Sequence, residues 1–135
     1  MKFKVFLVVV LLIIFGTAAV QASSAISLTK VPEKGSFDDL VGKVTSADLA
    51  AYRVAVYIRV NGGWWTKPYW NHPTVQINEG GEWVCDITTG GVDETADAII
   101  AFLVPKNYKP PLANNDAWFK TDFLKHTVAR VSVKR

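Results

Sequence analysis

Apolar and polar residues alternate most clearly between Tyr52 and Val60. Val54, Val56, Ile58 and Val60 fall on one face there, and Arg53, Ala55, Tyr57 and Arg59 on the other. A period of two with β-branched residues on one side predicts a half-buried strand. Shorter alternations flank it. Ile26, Leu28 and Val31 suggest a first strand, broken by Pro32, Gly35 and Ser36, and Leu40, Gly42 and Val44 suggest a second. Thr45 to Leu49 reads as a turn. Further on, Thr74–Ile77 and Trp83–Ile87 form a pair of strands about the turn residues Asn78-Glu79-Gly80-Gly81, with Trp83, Cys85 and Ile87 facing the core. The unbroken apolar run Ala98–Val104 predicts a strand covered on both faces. Pro105 to Asn115 reads as a loop, and Asp116 to His126 as a short helix capped by Asp116, with Phe119 and Phe123 one turn apart. Val128–Lys134 alternates again, with Ala129, Val131 and Val133 inward. Seven short strands with turns between them and one small helix predict an all-β, immunoglobulin-like antiparallel sandwich.

The pattern before Ser23 is of another kind. Lys2 and Lys4 precede the apolar run Val5–Phe15, and small residues lead to Val20-Gln21-Ala22. That layout predicts a secretory signal peptide over residues 1–22, cleaved after Ala22, and a single domain over 23–135. The alternative is an uncleaved anchor, the one case in which a membrane would be a partner; a spanning helix needs about 20 apolar residues, which this stretch only approaches. The expected location is secreted or extracytoplasmic, in the periplasm or at the cell surface.

Charge then loses its force. The whole chain carries +3, but Lys2 and Lys4 supply two of those charges, leaving +1 on residues 23–135. The remaining cations are scattered, so nucleic acid is excluded as a partner. Cys85 is the single cysteine, which rules out an intramolecular disulfide, and its place on the inward face of a strand predicts an inert, buried thiol.

Signatures of catalysis are sparse. His72 and His126 fall in separate segments, and the chain has no nucleophile elbow, zinc-binding helix or phosphate-cradling glycine loop. The carboxylates Asp86, Asp93, Glu94 and Asp97 leave three readings. They can gather around calcium, flank a glycosidic bond as a catalytic pair, or belong to a solvated loop in which Asp93 caps a turn. The solvated loop is favoured, so no metal, no cofactor and no catalytic residue is expected.

Asn61 to Trp70 stands out instead, with four large rings, two glycines, one lysine and one proline in ten residues. It is too interrupted to predict a regular strand or helix, and too aromatic for an ordinary solvated loop. It either plugs the end of a core or offers flat apolar faces to a partner. The C–H faces of a sugar ring pack on an indole or phenol ring, while neighbouring hydroxyls need polar partners. Trp64, Trp65, Lys67, Tyr69 and Trp70 are therefore the candidate ligand-binding residues, with Asn71 or Arg59 as further hydroxyl partners. Trp64 and Trp65 are adjacent, so an extended backbone sends their rings apart.

The series Val54–Ile58, Gly62-Gly63-Trp64-Trp65-Thr66-Lys67-Pro68, Trp83 to Glu94 and Ala101–Pro105 resembles a bacterial secreted immunoglobulin-like module found beside extracellular carbohydrate-active domains. The likeness runs from about Val31 to Arg135. It implies an accessory module without catalytic residues of its own, attached by association to a polysaccharide or glycoconjugate. The alternative is a structural module that docks another secreted or envelope protein, with the aromatic stretch as core plug or docking site.

Overall fold

A computed structural model describes residues 23–135. The expected signal peptide, its cleavage point and the alternative anchor lie outside the described residues. Among those described, no helix is long and apolar enough to cross a membrane.

Eight strands and one short helix follow one another as β1 (Ala25–Lys30), β2 (Leu40–Thr45), β3 (Tyr52–Val60), β4 (Gly63–Lys67), β5 (Glu82–Cys85), β6 (Ala98–Pro105), β7 (Asn114–Asp116), α1 (Thr121–His126) and β8 (Ala129–Lys134). They form two antiparallel sheets, β1-β2-β5 and β7-β4-β3-β6-β8. The first corresponds to strands A-B-E of an immunoglobulin-type sandwich and the second to C′-C-F-G, with β7 added at its edge. The predicted fold class stands, with eight strands in place of about seven.

The strands form where the alternation is strongest, and their inward positions meet between the sheets. Ile26, Leu40, Val44, Val54, Val56, Ile58, Trp83, Cys85, Ile87, Ile99 and Leu103 make that core. Trp83 lies over Gly42 of the neighbouring β2, the one position where a side chain would overlap both its indole and the carbonyl of Ser27. Glycine is needed there for close approach rather than for backbone freedom.

The expectation of a half-buried β3 is corrected. Ala55 and Tyr57, on its supposedly outer face, are 0% and 1% exposed. They belong to a second core with Phe102, Val104, Ala113 and Phe123, laid over the far face of the five-stranded sheet. Residues 105–120 and α1 form its cover. Tyr57 Oη donates to the Pro111 carbonyl at 2.8 Å, and Thr66 exchanges two hydrogen bonds with Ala113. Phe102, Phe119 and Phe123 surround the Tyr57 ring at 4.9–5.9 Å between centroids, all three edge to face. The helix itself starts later than predicted. Asp116 belongs to β7, Lys120 precedes the first helical residue, and Phe119 packs from the approach to the helix.

Thr74–Ile77 also departs from expectation. It makes a single bridge, Val54 to Val75, with bonds of 3.1 and 2.9 Å, and then leaves the sheet. β5 pairs with β2 instead, because this segment crosses from one sheet to the other and places Ile77 against the core on the way. Trp83, Cys85 and Ile87 are buried and Asp86 is exposed, as the alternation required.

Burial, together with the carboxylates of Asp86 and Asp39, pushes the Cys85 thiol well above its ordinary value, and burial does the same to the Tyr57 phenol. The folded state thus keeps both protons at pH values where the unfolded chain releases them. Stability is full below the ordinary thiol value of about 8.5 and falls as pH rises past it and past the tyrosine value of about 10. Urea midpoints at neutral and alkaline pH check this, and a thiol reagent should label Cys85 only beyond the unfolding transition. Gly42→Ala should cost about 1–3 kcal/mol by overpacking, read from the same urea curves.

Candidate functional site

The residues singled out by composition begin with a hairpin. Asn61 and Gly62 have φ of 51° and 80°, the double positive φ of a two-residue turn that matches the twist of paired strands. The chain reverses there and Gly63–Lys67 pairs with β3, from Val60↔Gly63 to Val56↔Lys67. The aromatic stretch is therefore a regular strand over its first half, and the expectation of an irregular loop is corrected for those residues. Asn-Gly was the signal for this turn.

Pairing with β3 sorts the side chains. Trp64 goes to the second core, where its ring stands 5.2 Å from that of Phe119 and the Arg59 guanidinium lies 5.7 Å over its centroid. Trp65, beside Ile58, packs against the sandwich core, and its buried Nε1 has no hydrogen-bond partner among the described residues. Both rings are half-buried. The predicted divergence of the two indoles is what the strand geometry produces.

Lys67 is 7% exposed. Its ammonium forms an ion pair with Asp93 and donates to Thr89 Oγ1 at 3.0 Å. Thr89 Oγ1 in turn donates to the Pro68 carbonyl at 2.6 Å, and the Gly90 N–H donates to Asp93 Oδ2 at 3.0 Å. A cation and an anion withdrawn from water stabilise this arrangement only because each is met by the other and by further hydrogen bonds. Lys67 is thereby engaged inside the protein instead of standing free for a ligand at the loop tip. Arg59 is engaged likewise: its Nε donates to Asp97 Oδ1 at 3.0 Å, and that bond holds the Asp97 carboxyl below the usual range.

The carboxylates expected in one solvated loop thus go separate ways. Asp93 is buried against Lys67, Asp97 faces Arg59, and Asp86 accepts from the Thr88 backbone and hydroxyl. Glu94 is partly buried. Among the described residues no group of three or more His, Cys, Asp or Glu is placed to hold a metal ion.

Past Pro68, which follows a cis peptide bond, the chain turns at Tyr69↔His72 and presents Tyr69 and Trp70 at 49% and 50% exposure. Trp70 and Asn71 form one side of an open groove of about 600 Å³. The other side is Lys106, Tyr108, Lys109 and Leu112. Tyr108 is held by stacking: its ring lies parallel to His126 at 4.4 Å with an interplanar angle of 7°, and to Phe123 at 6.3 Å. Of the five residues nominated from sequence, Tyr69 and Trp70 reach this exposed tip, and Trp64, Trp65 and Lys67 do not. Tyr108 was missed, although its setting between Lys106 and Lys109 in a proline-rich loop repeats the character of Lys67 to Asn71. Trp118, 75% exposed, was missed as well.

Compared with known proteins, the chain matches no family model, no curated protein and no solved structure.

Lys67→Met leaves Asp93 buried and unpaired, and should cost about 3–5 kcal/mol. Trp70→Ala, at an exposed tip, should stay within about 0.5 kcal/mol of the parent. Urea unfolding of the two variants side by side separates the internal part of the stretch from its outer part.

Proposed function

We propose that the protein is an exported, non-catalytic module that holds a polysaccharide or glycoconjugate in the groove between Trp70 and Tyr108. The observation that carries this reading is the half-exposed Trp70 indole at the rim of an open groove whose other wall includes a tyrosine fixed by stacking. The Tyr108 ring, already held by stacking, loses little conformational freedom on binding, and the half-exposed Trp70 indole offers a face for sugar C–H groups. Asn71, Asn107, Lys106 and Lys109 along the same groove supply donors and acceptors for hydroxyls. The resemblance to secreted accessory modules and the leader-like residues 1–22 support export.

A second reading, docking to another secreted or envelope protein, draws on Trp118 and Phe37, which are 75% and 69% exposed. The two readings differ in which rings matter.

Affinity electrophoresis in gels containing xylan, glucomannan, pectin or hydroxyethylcellulose tests the first. At least one polysaccharide should retard the protein, and Trp70→Ala should weaken that retention about tenfold, or ~1.4 kcal/mol, while Trp118→Ala leaves it unchanged. Migration unaffected by every polysaccharide in the panel, with capture of an envelope protein that depends on Trp118, would establish the docking reading instead.

A further inference from the structure

A second concave site lies on the sandwich side of β4, apart from the groove. It is a pocket of about 570 Å³ whose walls include Trp65, Val92, Asn61 and Asn115, with Lys67 and Asp93 also lining it. Its volume is that of a small-molecule site. Gly90 and Gly91 border it, and a β carbon at either would meet no atom within 4 Å, so the backbone there stands open to a ligand.

The ion pair in this pocket is not saturated. An ammonium has three donors, and Lys67 uses two of them, on Thr89 and Asp93. Asp93 receives both Lys67 and the Gly90 N–H on Oδ2. Its Oδ1 accepts nothing from the described residues. Nor is that oxygen sealed off: the buried side-chain nitrogen or oxygen atoms lacking a partner among the described residues are the indole nitrogens of Trp65 and Trp83. The pocket therefore meets a carboxylate oxygen that wants a donor, next to an ammonium with a donor to give. The pair is neutral as a whole, so it has no net attraction for a free ion of either sign.

We infer that this pocket binds a neutral pyranose through two adjacent hydroxyls, one donating to Asp93 Oδ1 and its neighbour accepting from Lys67, with the ring against Trp65. Each sugar hydroxyl is both donor and acceptor, and vicinal hydroxyls match a cation and an anion held side by side. The apolar surfaces of Trp65 and Val92 take the C–H face. This site is separate from the groove at Trp70 and does not depend on it.

The test is a titration of ¹⁵N-labelled protein with methyl glucopyranoside, methyl mannopyranoside and methyl galactopyranoside, followed by amide and indole resonances. The Trp65 ring lines the pocket, so its indole resonance reports on occupancy through the change in its surroundings. At least one pyranoside should shift the Trp65 indole and the Gly90 and Gly91 amides, and its 3-deoxy analogue, which lacks the hydroxyl common to both vicinal pairs, should bind about tenfold more weakly. The double variant Lys67→Met/Asp93→Leu removes both charges together, a change that many buried pairs tolerate, and it should abolish those shifts. Gly90→Leu, which narrows the mouth and leaves the pair intact, should weaken binding about tenfold and covers the case of a double variant that fails to fold. Trp70→Ala should change none of this. Silence of the Trp65, Gly90 and Gly91 resonances towards all three pyranosides overturns the inference, as does binding that survives in the folded double variant.

Discussion

Everything distinctive about this protein depends on the register in which β4 pairs with β3. β3 is buried on both faces, so its neighbour has no indifferent side on which to put a large ring. Setting Trp65 opposite Ile58 and Trp64 opposite Arg59 commits the first indole to the sandwich core and the second to the outer, helix-covered core. A slip by one residue would exchange them and turn the Lys67 ammonium away from Asp93. The Asn61-Gly62 turn sets that register from one end. The ion pair holds it at the other.

The Lys67–Asp93 pair does more than satisfy two charges. Asp93 belongs to the segment leading into β6, 26 residues after Lys67, so the pair ties the end of β4 to the connection between β5 and β6. Thr89 and Gly90 join the same network, which holds the residues between Ile87 and Asp93 without a regular element of their own. On the opposite face, Ala113 reaches Thr66 and Pro111 reaches Tyr57, so the long loop after β6 is pinned to the sheet by side chains from its two central neighbours. Both irregular segments therefore take their shape from β3 and β4.

Much of the fold was legible because the period of two survives wherever one face meets the sandwich core. The inward sets of β2, β3, β5 and β8 lie where the alternation puts them. What escaped had its cause far along the chain. Ala55 and Tyr57 alternate with apolar neighbours as outward residues do, and only the arrival of Phe119 and Phe123 more than sixty residues later makes that face a second core. Lys67 looks like a free cation beside exposed rings until Asp93 is placed against it. Thr74–Ile77 has the composition of a strand, but its single bridge to Val54 is all the pairing its crossing between sheets permits. The turn at Asn61-Gly62 was legible in principle and was masked by the density of aromatics after it. For the candidate site, composition singled out the segment, while the division of its rings between inside and outside required the register.

That division also gives one short stretch two kinds of support. Residues up to Lys67 are held by strand pairing and by burial, so what they present inward is rigid and already oriented. Residues after Pro68 have only the narrow Tyr69–His72 turn, with hydrogen bonds of 3.4 and 3.1 Å, and depend on apposition to the loop of Tyr108 for a second wall. A pocket built on the first kind of support suits a single ring recognised by paired polar groups, because the geometry of adjacent hydroxyls must be matched closely. A groove built on the second kind suits an extended chain, for which stacking on two separated rings tolerates variation along its length. Trp65 and Trp70 are five residues apart, and between them the backbone passes from a paired strand to an exposed turn.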